Sequence, residues 1–231
     1  MQGPASSAPR VSRWGVVVMV SALLVVGGAA ALLIAGLASS HERLVSFAVR
    51  GSLDGVSLDV GDGDVVIAGG GQRAQLEVQR TVADGELRLR ARCPSTLPSG
   101  CSVRYRLVVP DDVPVTVRTS GGKVSFGGYR GSARVTTRSG DIDIESFCGF
   151  SLEARAESGD IDVSTACAPQ QLSLRSTSGS VLASVPAGRY MVEAESASGE
   201  HQVRGVDAVS ESPFSIQALS SSGDVSVEGR R

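Results

Sequence analysis

The chain is 231 residues long and 42% hydrophobic, enough for one sizeable core, yet only 4% of it is aromatic. Such a core must be assembled from Val, Ile, Leu and Ala in regular layers. A formal net charge of −2, with no basic patch, argues against nucleic acid as a partner.

Residues 15–37 form an uncharged, mostly apolar run, preceded by Arg10, Arg13 and Trp14 and followed by His41, Glu42 and Arg43. As a helix the run would be about 34 Å long and would cross a hydrocarbon core of about 30 Å. The positive N-terminal flank predicts a cytoplasmic tail over 1–14, a transmembrane signal anchor over 15–37, a juxtamembrane linker over 38–43 and an extracytoplasmic domain over 44–231. The expected location is the cell membrane, crossed once. A cleaved signal peptide is the competing reading, because Gly36-Leu37-Ala38 offers small residues to a peptidase. Against it, the run exceeds the roughly 7–15 residue core of a signal sequence. No cysteine lies between the run and Cys93, which argues against a lipoprotein anchor.

Short alternating segments follow at Val56–Val60, Asp64–Ile67, Ala74–Val78, Glu86–Arg90 and Ser102–Val109, and they read as half-buried strands. Beyond them six Ser-Gly pairs recur, at Ser120, Ser139, Ser158, Ser178, Ser198 and Ser222, in steps of 19, 19, 20, 20 and 24 residues. A fixed period of this size predicts an all-β, single-domain β-solenoid of about 19–20 residues and two strands per coil. The irregular segment 43–110 is expected to start the solenoid and cover its first coil.

Laying the repeats in register sorts the residues. The strand before each Ser-Gly carries inward columns Ala133, Leu152, Leu172, Val192, Ile216 and Val135, Ala154, Leu174, Ala194, Ala218, then a small column Thr137, Ala156, Ser176, Ser196, Ser220. The strand after it carries Val124, Ile142, Ile161, Val181, His201, Val225 and Phe126, Ile144, Val163, Ala183, Val203, Val227. Outward positions should then place Arg134 beside Glu153, Arg138 beside Glu157 and Arg175 beside Glu195. Cys148 and Cys167 each lie eight residues after the corner glycine, Gly140 or Gly159, so they occupy one position on consecutive coils and should form a disulfide. Cys93 and Cys101 flank a short loop that they could staple. Two pairs with no odd thiol suit an oxidising exterior; zinc is a poor alternative without a Cys-x-x-Cys motif.

The order of apolar segment, Leu58-Asp-Val-Gly-Asp-Gly-Asp-Val-Val, Tyr105-Arg-Leu-Val-Val-Pro-Asp-Asp-Val-Pro-Val-Thr-Val-Arg-Thr-Ser-Gly and repeated Ser-Gly-Asp-Ile-Asp-Ile strands resembles the bacterial adhesin-like domain family DUF4097 over residues 44–230. The resemblance implies an envelope-exposed β-solenoid, sometimes encoded beside envelope-stress systems. It brings no established catalytic residues.

The best candidate site is acidic. Asp141 and Asp160 stack on adjacent coils, as do Asp143 and Asp162, and four neighbouring carboxylates would suit a calcium ion. Solvated residues beside turns, with Lys123 as neighbour, are the preferred simpler reading, and no other cofactor is expected. Gly61-Asp-Gly-Asp64 lacks a tandem nine-residue period and reads as a turn. The outward column Arg118, Thr136, Arg155, Arg175 could present a basic strip to an anionic envelope polymer, or could merely keep the solenoid soluble. His201 replaces an inward apolar residue and reads as a core or corner histidine. No serine has a nucleophile motif, so no catalytic residue is assigned and no enzyme activity is expected. The functional expectation is a membrane-anchored, non-catalytic adhesin-like module whose partners are the membrane and a cell-wall polymer, an envelope protein or another copy of itself. The alternative is an accessory subunit of an envelope-stress sensor. With only residues 1–14 inside, it would have to act through a membrane partner.

Overall fold

A computed structural model describes residues 47–48, 55–62, 64–69, 75–76, 80–83, 86–91 and 105–230. The chain divides into Met1–Leu44 and Val45–Arg231, and all described residues belong to the second unit. The 15–37 segment with its flanks, and Cys93 with Cys101, lie outside them. Among the described residues no helix is long and apolar enough to cross a membrane.

Regular structure in the described residues is entirely β. The strands are β1 (Phe47–Ala48), β2 (Gly55–Asp62), β3 (Val65–Gly69), β4 (Gln75–Leu76), β5 (Arg80–Ala83), β6 (Glu86–Ala91) and β7 (Tyr105–Val109). There follow β8 (Val115–Gly121), β9 (Val124–Gly127), β10 (Ala133–Ser139), β11 (Ile142–Phe147), β12 (Ser151–Ser158), β13 (Ile161–Thr165), β14 (Gln171–Ser178) and β15 (Val181–Pro186). The last are β16 (Arg189–Ser196), β17 (His201–Arg204), β18 (Asp207–Ala208), β19 (Ser215–Ser222) and β20 (Val225–Arg230).

Each Ser-Gly corner joins a strand of one ten-stranded sheet to a strand of a second, and successive coils add parallel strands to both sheets. The registers are those that the repeat count demands: Ala133 on Leu152, Val135 on Ala154 and Ile142 on Ile161. Alternation turns every second side chain inward, so Val117, Val135, Ala154, Leu174 and Ala218 of one sheet and Ile142, Val163, Ala183 and Val227 of the other are buried to 1% exposure or less. Ion pairs between Arg134 and Glu153 (2.7 Å) and between Arg138 and Glu157 (3.8 Å) follow the outward ladder. Cys148 and Cys167 are joined in a disulfide, with Cα atoms 4.8 Å apart.

Glycine sets the corner. Gly159 has φ 141°, which side chains with a Cβ avoid, and a Cβ there would strike the carbonyl of Gly140 one coil away. The same collision would occur between Gly223 and the carbonyl of Gly179, which reveals that these two corners are neighbours in space although 199 lies between them in the chain.

Coil order departs from chain order at both ends. The last coil, β19–β20, lies between β14–β15 and β16–β17, so that Leu172 pairs with Ile216, which in turn pairs with Val192. At the other end β2–β3 lies between β6–β7 and β8–β9. The 24-residue final step supplies the return connection, 205–214, part of which pairs as β18 with Arg189 and Tyr190.

This interleaving corrects two expectations. Arg175 sits beside Leu219 rather than Glu195, because β19 separates β14 from β16. His201 is exposed, not buried, because among the described strands β17 is the last in its sheet and no further strand covers it. The same position leaves Val203 38% exposed, whereas Val227, at the equivalent place one coil in, is fully buried.

The β6–β7 end is finished differently. Strand β5 pairs antiparallel with β6, β4 antiparallel with β7, and β1 with β4, so both sheet edges turn back on themselves there. The described strands of 43–110 thus start the solenoid with two interleaved coils and cover the outer one with an antiparallel closure.

Candidate functional site

Two outer surfaces carry polar side chains in an ordered array, the Asp corner and the face of the sheet containing β8, β10, β12, β14 and β19. At the corner the carboxylates are held by backbone amides. Asp141 Oδ1 accepts a hydrogen bond from the Asp160 amide at 3.0 Å, and Asp160 Oδ1 accepts one from the Ser180 amide at 2.8 Å. Farther along the stack Asp224 Oδ1 accepts from the Glu200 amide at 2.9 Å, and Asp64 Oδ1 from the Lys123 amide at 3.2 Å. Each aspartate therefore caps the exposed amide of the next coil, a charge-assisted bond that serves where the chain turns away from the sheet.

Asp143 and Asp162 occupy the next outward position and are paired in register. Lys123 Nζ lies 2.8 Å from Asp143 Oδ2. Burial pushes the Asp162 carboxyl above its usual range, with Asp143 and Glu145 adding to the rise and Lys123 opposing it. The four residues of the expected cation site are thus brought onto one edge, but in two rows. One row spends an oxygen per residue on amides, and the other has Lys123 as its cation. Among the described residues no group of three or more acidic, His or Cys side chains converges as metal ligands do.

The inner neighbours of the corner are hydroxyls. Ser176 Oγ donates to the Gly159 carbonyl at 3.0 Å, Ser220 Oγ to Gly179 at 2.8 Å and Ser196 Oγ to Gly223 at 2.7 Å. These serines bind the coils together and are not placed as nucleophiles. Tyr129 closes the opposite side by donating its hydroxyl to the Val113 carbonyl, and burial raises its pKa. Tyr190 likewise donates to the Pro186 carbonyl at 2.8 Å. Sequence reading missed both tyrosines; the scarcity of tyrosine, three in the whole chain, was the available signal.

On the sheet face an open groove of about 440 Å³ runs across five coils, lined in part by Thr116, Arg134, Glu153, Arg155, Ser173 and Gln217. Glu153 receives both Arg134 and Arg155, so two guanidinium groups share one carboxylate and the patch keeps net positive charge. Arg155 is in register with Thr136 on one side and Arg175 on the other, while Arg118 stands across from Asp59. Ser173 Oγ donates to Gln217 Oε1 at 3.2 Å, and Gln217 Nε2 to Glu193 at 2.7 Å, extending the polar row to the outermost coil. Hydroxyl, amide and guanidinium groups at a strand-to-strand spacing of about 4.8 Å can hydrogen-bond an extended polar polymer laid across the strands.

A model of the family described as Toastrack DUF4097 matches residues 108–228, from β7 through β20. Among solved structures, the chain is similar to a protein described as a "putative cell adhesion protein" from Clostridium sporogenes ATCC 15579, with 10% identity, a TM-score of 0.38 and coverage of 81% of this chain and 100% of that one. It is also similar to a "putative adhesin" from Bacteroides fragilis NCTC 9343, with 12% identity, a TM-score of 0.44 and coverage of 82% and 98%. No functionally curated protein matches the chain.

Two outcomes separate the capping role of the corner from cation binding. Asp160→Ala should lose about 1.5–3 kcal/mol in chemical unfolding, whereas Asp160→Asn keeps a neutral acceptor for the Ser180 amide and should lose only about half as much. If calcium were the ligand, the Asn and Ala variants would lose a calcium-dependent stabilisation alike. For Asp162 the folded pKa lies above the unfolded one, so its contribution is present in acid and is lost as pH rises through the shifted value. Asp162→Asn should therefore raise the unfolding midpoint at neutral pH, with the gain closing as pH falls below 3.8.

Proposed function

Because the chain belongs to the Toastrack DUF4097 family, we propose that it is a non-catalytic, adhesin-like binding module of the cell envelope, tethered to the membrane by residues 15–37. Its ligand is an anionic, hydroxyl-rich envelope polymer, held on the face around Arg155. The observation that carries this reading is the sharing of Glu153 between Arg134 and Arg155, with Arg175 in register beside Arg155, along an open groove of hydroxyl and amide groups. An open groove with in-register repetition suits a repeating ligand better than a small molecule, which needs enclosure. Guanidinium groups recognise phosphate and carboxylate bidentately, so a phosphate-bearing wall polymer is the favoured class. Hydroxyls of the inner serine column are spent on corner carbonyls, which supports a binding rather than a hydrolytic role.

The full chain in detergent micelles should be retained on purified cell-wall polymer, with retention falling as salt rises. Arg155→Ser combined with Arg175→Ser should reduce the retained fraction at least severalfold while leaving the unfolding midpoint within a few degrees of the parent. Absence of retention at moderate salt, or equal retention of the double variant, would overturn the assignment.

A further inference from the structure

The two ends of the solenoid are not equivalent. At the β6–β7 end, antiparallel strands cover both edges. At the opposite end, β16 pairs with β19 along Met191–Ser196, and among the described residues its other edge meets only 207–209, which include β18, at its first residues Arg189 and Tyr190. Strand β17 pairs with β20 alone among the described residues. Over Met191–Ser196 and His201–Arg204 two strand edges therefore present unpaired backbone groups, and the core between them is covered only in part, by the crossing 205–208 with Val206. Val203 is 38% exposed and Met191 46%, while the inward-facing Val192 and Ala194 are half-buried. No proline interrupts β16 or β17, the usual block to further strand addition.

The charges on this end are complementary to themselves. Ser196 and His201 flank the corner 197–200, so residues counted equally away from it stand at one level: Ala194 with Val203, and Glu193 with Arg204. A two-fold axis lying along the strand direction in the end plane would bring β16 of one copy antiparallel to β17 of the other. In that pairing Ala194 meets Val203 on the inner side. Glu193 meets Arg204 on the outer side, twice by symmetry, and Glu195 meets Gln202. Glu193 has one oxygen engaged by Gln217 and a second oxygen available. Arg204 lies in register beside Glu228 but makes no ion pair with it.

We propose that the β16–β17 end is a homodimer interface, on which a second copy of this chain docks head to head and continues both sheets. The interface is isologous: each copy gives one β16 edge and one β17 edge and receives the same. Strand β16, some 25 Å long, and β17, some 13 Å, with the core between them present a face of roughly 300 Å² per copy, the size of a weak, transient contact. Association is therefore expected to depend on concentration. The proposal goes beyond polymer binding and does not rest on it, because its strand edges lie on the end and share with the polar face around Arg155 only Glu193, the last member of its row.

The test uses the full chain in detergent micelles. A variant carrying Glu193→Cys and Arg204→Cys should form a covalent dimer on mild oxidation, and neither single cysteine variant should do so efficiently. By sedimentation, Glu193→Arg alone and Arg204→Glu alone should each weaken dimerisation at least about fivefold, since like charges opposed across strands destabilise. The combined charge swap should restore it. Thermal unfolding of each variant checks that the fold is kept, and the cysteine trap stands independently of the charge series. A monomer at all concentrations would overturn the proposal. So would failure of the swap to rescue, or a dimer indifferent to both reversals, which would place the contact in another part of the chain such as 15–37.

Discussion

Everything in this fold depends on the approach of one corner to the next. Where the chain passes from one sheet to the other, successive glycines stack so closely that a methyl group on Gly159 would collide with the carbonyl of Gly140, and one on Gly223 with that of Gly179. Once the corners are stacked, the pleat leaves no freedom in register. A slip of one residue would turn Leu174 and Val163 outward and expose the whole inner column. The corner also strips some amides of strand partners. Asp141, Asp160 and Asp224 each restore one, and Ser176, Ser196 and Ser220 bind the corner carbonyls from within. The Ser-Gly-Asp repeat is thus a single device for turning the chain while keeping its polar groups paired.

Much of this was legible in the residues themselves. The Ser-Gly spacing gave the coil length, the alternation around it sorted inner from outer columns, and the common distance to the corner paired Cys148 with Cys167. Coil order was not legible, and the physical reason is the interchangeability of neighbouring coils. Val192 and Ile216 fill the same inner position, as do Ala194 and Ala218, so the pattern is equally compatible with either sequence of stacking. Outer residues held more information. Arg175 and Glu195 look like a natural pair by column, yet Leu219 stands between them. The longer final step and the exposed histidine in an apolar column were the traces of a coil displaced to the end.

The acidic residues show a similar limit. A column of aspartates reads as a concentration of charge when only side chains are counted. Backbone amides, which carry no letter in the sequence, are what Asp141 and Asp160 address. The Arg155 face differs because its partners are side chains, and the sharing of Glu153 by two arginines follows from columns that the repeat already defined. A rigid stack of this kind offers repetition along its faces and individuality at its ends. The proposed binding to a repeating polymer draws on the first, and the proposed association between copies on the second.

The interleaved order is the claim on which the exposed end, the corrected outer ladder and the reach of the polar groove all rest. Cysteine pairs at outward positions test it directly, with the native disulfide as an internal standard. Arg175→Cys with Leu219→Cys, and Leu219→Cys with Glu195→Cys, should each close a second intramolecular disulfide on oxidation, because their strands are adjacent. Arg175→Cys with Glu195→Cys should not, being two strands apart. Efficient closure of that last pair, with failure of the first two, would mean that the coils stack in chain order and would contradict the account.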